Sequence, residues 1–185
     1  MKKNFFACLF VFIGLCLATM PASAQKKKDK DSEPEKEAPE MPRENDLIVY
    51  KGEQAATGSQ ADLYKKCLAW FNGYYKNPTS VFRERDEEKG LISGVARFQI
   101  KSLNPKTGTK DNAGLVVYDI SVTCKENGYS YRIEKINWKQ ASYYGIEKWF
   151  DKDGQYYKSE YVDFLEQTDT FLKELIADLE SHMAG

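Results

Sequence analysis

"VVYDISVTCKENGYSYRIEKINW", residues 116–138, decides the fold. Val116, Tyr118, Ile120, Val122 and Cys124 alternate with Val117, Asp119, Ser121 and Thr123. A period of two with one apolar set is the pattern of a strand that buries one face. Glu126-Asn127-Gly128 follows, and Asn-Gly is favoured where a tight turn needs positive φ. Tyr129 to Trp138 is then the returning strand. Its alternation slips between Ile133 and Ile136, as at a β-bulge or at an edge of burial.

Upstream, Leu91 to Lys101 repeats the pattern: Ile92, Ala96, Phe98 and Ile100 form one face, and Ser93, Val95, Arg97, Gln99 and Lys101 the other. Val81 to Arg85 reads as its partner strand, which places the acid-rich Asp86 to Gly90 at a hairpin tip. General acid–base chemistry needs a carboxylate in a cleft with a shifted proton affinity, and an exposed tip desolvates nothing. The tip is a turn. The stretch "NPKTGTKDNAG", Asn104 to Gly114, reads as a longer loop into Leu115 to Cys124.

Ser59 is a helix N-cap with Asp62 three residues on, and Leu63, Cys67, Trp70, Phe71 and Tyr74 then recur at helical spacing. Asn77-Pro78 ends that helix. Leu47 to Lys51 is a short strand closed by Gly52, and Phe164, Leu165, Thr168, Phe171, Leu172, Leu175, Ile176 and Leu179 make a second amphipathic helix. The order is β-α-β-β-β-β-α. An α+β fold follows, an antiparallel sheet with two helices on one face and the other face open.

The chain begins with Lys2 and Lys3, an apolar run from Phe5 to Leu17, and the small-x-small triplet Ala22-Ser23-Ala24. Residues 1–24 therefore read as a secretory signal peptide cleaved after Ala24, giving a periplasmic or extracellular protein. Leu15 precedes Cys16 where lipidation requires a small residue, which argues against a lipoprotein. Residues 25–45, charged and holding three prolines with Met41 as the only sizeable apolar side chain, read as a disordered linker. Residues 46–182 suit a single domain, interrupted by an aromatic-rich insertion at 140–161. Export permits a disulfide between Cys67 and Cys124, and burial as free thiols is the alternative.

"DLYKKCLAWFNGYYKNPTSVFRERDEEKGLISGVARF" with "YDISVTCKENGYSYRIEKINW" resembles a family of uncharacterised secreted bacterial proteins, described as a domain of unknown function with a TATA-binding-protein-like fold. The resemblance spans about Leu47 to Trp138 and implies one half of such a fold. It carries over no catalytic residue. It does not imply DNA binding either, because fold does not fix function.

Several chemistries are excluded by composition. The full chain has 27 basic and 28 acidic residues, and loss of Lys2 and Lys3 makes it more acidic, so nucleic acid is not an expected partner. No second apolar run is long enough to span a bilayer. The single histidine, His182, lies near the end of the chain in what reads as a fraying tail, which removes triad catalysis and multi-histidine metal sites. "WFDKDGQYYKSE" places Asp151, Asp153, Gly154 and Glu160 near calcium-loop spacing, but Trp149 stands at the first ligand position, so no metal and no cofactor is expected.

What remains is binding. Arg83, Arg85, Arg97, Gln99, Lys101, Arg132, Glu134 and Trp138 are assigned to the open sheet face or its rim, a set suited to an envelope protein, a peptide or an acidic glycan. The aromatic insertion holds seven rings (Tyr143, Tyr144, Trp149, Phe150, Tyr156, Tyr157 and Tyr161); it reads either as a small extra hairpin folded onto the sheet edge or, through Tyr143, Tyr144 and Trp149, as the second candidate surface. Self-association of two half-saddles edge to edge, giving a homodimer, and a carboxylate-based envelope hydrolase are the alternatives.

Overall fold

The computed structural model describes residues 36–104, 106–140 and 142–185. The expected signal peptide, Cys16 and the first part of the linker lie outside the described residues. Lys36–Gly185 forms one unit.

A two-stranded pair, β1 (Arg43–Glu44) and β2 (Leu47–Ile48), precedes the main sheet. Then come β3 (Tyr50–Ala55), α1 (Gln60–Tyr74), the short α2 (Pro78–Val81), β4 (Phe82–Asp86), β5 (Leu91–Leu103), β6 (Lys110–Lys125) and β7 (Gly128–Lys139). β8 (Tyr143–Gly145), a 3-10 turn over Ile146–Phe150 and α3 (Tyr161–Ala184) complete the chain. The antiparallel order is β3-β7-β6-β5-β4, with β8 on the same edge of β7 as β3 but farther along.

The central hairpin forms as its alternation requires. Asn127 takes φ 57° in the turn, and Lys125 pairs with Gly128. The expected slip is a bulge: Val117 opposes Asn137 and Asp119 opposes Glu134, so β7 holds one residue more than β6 across that step. Lys135 sits there with φ 52°. A second bulge, between Gln99 and Lys101, puts the extra residue in β6. The loop expected at Asn104 to Gly114 is accordingly shorter, because β6 starts at Lys110.

Both helices lie on one face. Ser59 caps α1 by accepting from Asp62 N, and Leu63, Tyr64, Cys67, Trp70 and Phe71 are buried. Phe171 of α3 stacks on Phe98 of β5 at 3.9 Å between centroids. Trp70 Nε1 donates to Asp178 Oδ1 at 2.7 Å and ties the two helices together. Beneath them Tyr118 is fully buried, its hydroxyl 3.4 Å from that of Tyr75.

Four boundaries differ from expectation, each for a packing reason. Gly52 lies inside β3 instead of ending a strand, because the Tyr131 ring would meet a Cβ there at 2.7 Å. Val81 belongs to α2 and packs on Gly94, where a Cβ would come within 2.8 Å of Val81 Cγ1. Residues 36–45, read as disordered linker, are anchored by Met41, which is 5% exposed within the core. His182 is in the last helical turn of α3 and not in a frayed tail, because Met183 is buried and its carbonyl accepts from Lys66 Nζ at 2.9 Å.

Candidate functional site

The uncovered face of the sheet carries alternate residues of every strand, and its charges fall into two halves. Around β3, β7 and the lower part of β6 they are matched. Arg132 lies 2.7 Å from Glu44 and 2.6 Å from Glu134. Lys135 lies 2.8 Å from Asp119, Lys51 3.0 Å from Glu44, and Lys125 3.2 Å from Glu53. Lys51 and Arg132, the larger cause first, hold the Glu44 carboxyl below its ordinary range.

The other half is not matched. A shallow basin of about 650 Å³ is lined by Lys76, Arg83, Arg97 and Lys139, with Tyr75, Asn77, Ser80 and Tyr143 among its polar and aromatic residues. Val95 and Val117 form an apolar floor. No carboxylate lines it, and among the described residues none lies within ion-pair distance of those four cations. Arg83 Nη1 donates to the carbonyls of Ser80, Val81 and Phe82 at 3.0 to 3.3 Å, which fixes its guanidinium at the β4 end. Lys139 Nζ sits 5.3 Å from the Tyr143 ring centroid. Lys101, two residue pairs on from Arg97, is exposed beyond the basin on the same face.

The structure brings together Arg83, Arg97 and Tyr143 of the residues expected from sequence, and separates the rest. Arg132 stands on the open face but is committed to two carboxylates. Trp138 is on the covered face, not the open one: its indole packs on Trp149 at 5.7 Å and Phe164 at 6.3 Å, and its Nε1 donates to Ala113 O at 2.8 Å. The Lys135 bulge is the cause, since one inserted residue reverses the facing of everything after it. A bulge in β4 between Phe82 and Glu84 likewise places Arg85 opposite inward-facing Ile92, with its guanidinium 5.0 Å from the Phe82 ring.

Trp149 is only 1% exposed and serves as core, and Tyr144 is half-buried against Trp138. The aromatic insertion is therefore largely a strand and a turn folded onto the sheet edge. Cys67 and Cys124 are both buried as free thiols. Contact with Cys124 and then burial push the Cys67 thiol up. Among the described residues no group of three or more His, Cys, Asp or Glu side chains could hold a metal ion.

Lys76 and Lys139 escaped the sequence reading. Lys76 follows a helix end and Lys139 follows the bulge, so only the tertiary arrangement turns them toward Arg97.

An antiparallel sheet backed by two helices, with its far face bare, defines a TBP-like α+β domain. Residues 51–139 match the family model "Domain of unknown function (DUF4468) with TBP-like fold". A DUF4468 family protein from Bacteroides ovatus ATCC 8483 superposes with a TM-score of 0.63 at 24% identity, covering 78% of this chain and 91% of its own. A TBP-like protein from Parabacteroides distasonis ATCC 8503 gives a TM-score of 0.62 at 18% identity, covering 77% and 96%. At these identities the likeness is one of fold. No curated protein matches the sequence.

Proposed function

We propose that the domain is a binding module that holds an acidic ligand against the basin on its open sheet face. The observation that carries this reading is the contrast within one face. Arg132, Lys135, Lys51 and Lys125 each have a carboxylate, whereas Lys76, Arg83, Arg97 and Lys139 converge with none. Converging cations repel one another, and that cost is relieved when an anion enters. The half-buried valines and the rings of Tyr75 and Tyr143 add apolar contact around the charge, as binding surfaces of mixed character do.

The export expected from the leader makes an envelope polypeptide or anionic glycan the ligand at hand. Asp119 and Glu134, two of the open-face acids that a carboxylate-based hydrolase could use, are tied to Lys135 and Arg132; they line a smaller hollow that adjoins the basin at Arg83 and Val95.

Titration calorimetry of residues 25–185 against a short polyglutamate peptide and against an oligogalacturonate tests the reading. Wild type binds one of the probes, and an Arg97→Glu/Lys139→Glu variant loses at least about tenfold in affinity. Binding of neither probe by the wild type, or equal binding by the folded variant, overturns it.

A further inference from the structure

The edge of β5 next to the basin is unusual in being long and unpaired. β4 covers only Leu91–Gly94, while β5 runs on to Leu103, and no strand among the described residues pairs with that remainder on the side away from β6. Two contacts show which backbone groups face which way. Gly90 O accepts from Cys124 N at 2.8 Å on the β6 side. Lys101, an odd number of residues away, points oppositely: its N–H donates to Gln167 Oε1 at 3.0 Å and its carbonyl accepts from Gln167 Nε2 at 2.8 Å. In a strand alternate residues share a direction. The N–H and C=O of Val95, Arg97 and Gln99 are therefore aimed outward, beside the basin that Val95, Ala96 and Arg97 line.

The Gln167 amide shows what that edge accepts. It presents one acceptor and one donor to a single residue, which is what a neighbouring strand would present. It closes the edge at Lys101, and Val81 of α2 lies against the edge at Gly94–Val95, so the stretch left open is Arg97–Gln99.

We infer that the acidic ligand is an extended segment of another polypeptide that adds as a strand to the outer edge of β5 over Arg97–Gln99. The inference rests on the binding role proposed above. A strand laid there runs about 4.8 Å from β5, and every second side chain of it faces the same way as Arg97. Those positions take acids, because Arg97, Arg83, Lys76 and Lys139 surround them without a carboxylate of their own. The intervening side chains face the helix side, toward the half-buried rings of Phe98 and Tyr75, and take apolar residues. A second copy of this chain is disfavoured as occupant, since edge-to-edge pairing would set two cationic rows side by side.

The probe is a fluorescein-labelled acetyl-Glu-Val-Glu-Val-Glu amide, compared with two versions N-methylated at either alternate set of backbone nitrogens. Anisotropy titration should show binding of the parent peptide. One methylated version, whose blocked nitrogens face β5, should lose about tenfold or more, and the other should bind much as the parent does.

Equal binding of all three peptides, or equal loss by both methylated versions, overturns strand addition while leaving acidic-ligand binding intact. Binding of an oligogalacturonate but not of the parent peptide does the same. A stable dimer of the free chain that the peptide cannot dissociate assigns the edge to a second copy and overturns the inference. If neither peptide nor glycan binds, this inference and the function it rests on fall together.

Discussion

Arg97 and Arg132 stand on the same face of one sheet and have opposite circumstances. Arg132 is held between Glu44 and Glu134, and removing its charge leaves those two carboxylates close together with only Lys51 as counter-ion to Glu44. Arg97 is exposed and touches no acid among the described residues. Arg97→Glu should therefore leave stability within about 0.5 kcal/mol of wild type while abolishing binding of an acidic peptide. Arg132→Glu should do the reverse, lowering the urea midpoint and sparing affinity. Denaturant melts and anisotropy on the same two proteins check both, and a melt in which Arg97→Glu is the less stable variant refutes the assignment. Alternation alone put both arginines on the open face. It did not reveal their partners, because Glu44 lies 88 residues from Arg132 in a stretch whose composition reads as linker.

At the scale of elements, bulges account for most of what sequence left unread. Period-two patterning assigns faces correctly until a residue is inserted, after which every assignment reverses. The slip between Ile133 and Ile136 was visible, yet carrying the unbroken alternation through it put Trp138 on the wrong face. The turn ending at Gly90, by contrast, was legible, although Asp86 closes β4 by pairing with Leu91 instead of opening the tip. Asp86 Oδ1 accepts from Lys89 N at 3.0 Å, and Gly90, with φ 67°, has no room for a Cβ, which would meet Cys124 O at 2.3 Å.

The bulge can be probed through Lys135, whose φ of 52° suits glycine and strains a branched side chain. Lys135→Val should destabilise by about 1–2 kcal/mol or more, and Lys135→Gly by clearly less, although both lose the Asp119 ion pair. Equal urea midpoints for the two variants would show that the left-handed backbone is not what the position selects. The aromatic insertion follows the same logic as Trp138: seven rings look like a binding surface in one dimension, and burial of Trp149 against Trp138 and Tyr161 turns much of it into core.

At the scale of the molecule, the core between the helices and the sheet is rich in buried hydroxyls and thiols, and that composition sets its chemical behaviour. Cys67 and Cys124 are 0% and 1% exposed, and the raised thiol of Cys67 disfavours the reactive thiolate. A maleimide should leave both unlabelled in the native, reduced chain and label both in urea, as read by peptide mass mapping. Labelling under native conditions would mean that α1 separates from β6 far more often than its packing implies.

The buried tyrosines make the stronger claim. Burial raises the phenols of Tyr50, Tyr118 and Tyr75 above their ordinary range and pushes Tyr129 up to about 12; in Tyr50 the hydrogen bond to Asp169, at 2.6 Å, adds to burial. Below a pH of about 10 these phenols are neutral in both folded and unfolded chains, and their contribution to stability is intact. As the pH climbs past that value the unfolded chain ionises first and binds fewer protons than the folded one. Stability must then fall, and for Tyr129 it goes on falling until the folded phenol itself ionises near 12. The urea midpoint should accordingly be nearly level from about pH 7 to 9 and drop steeply above about 10. Phenolate absorbance from Tyr50, Tyr75, Tyr118 and Tyr129 should rise only as near-ultraviolet dichroism is lost. Ionisation of these four phenols around their ordinary value, with the fold intact, would show that burial does not hold them neutral.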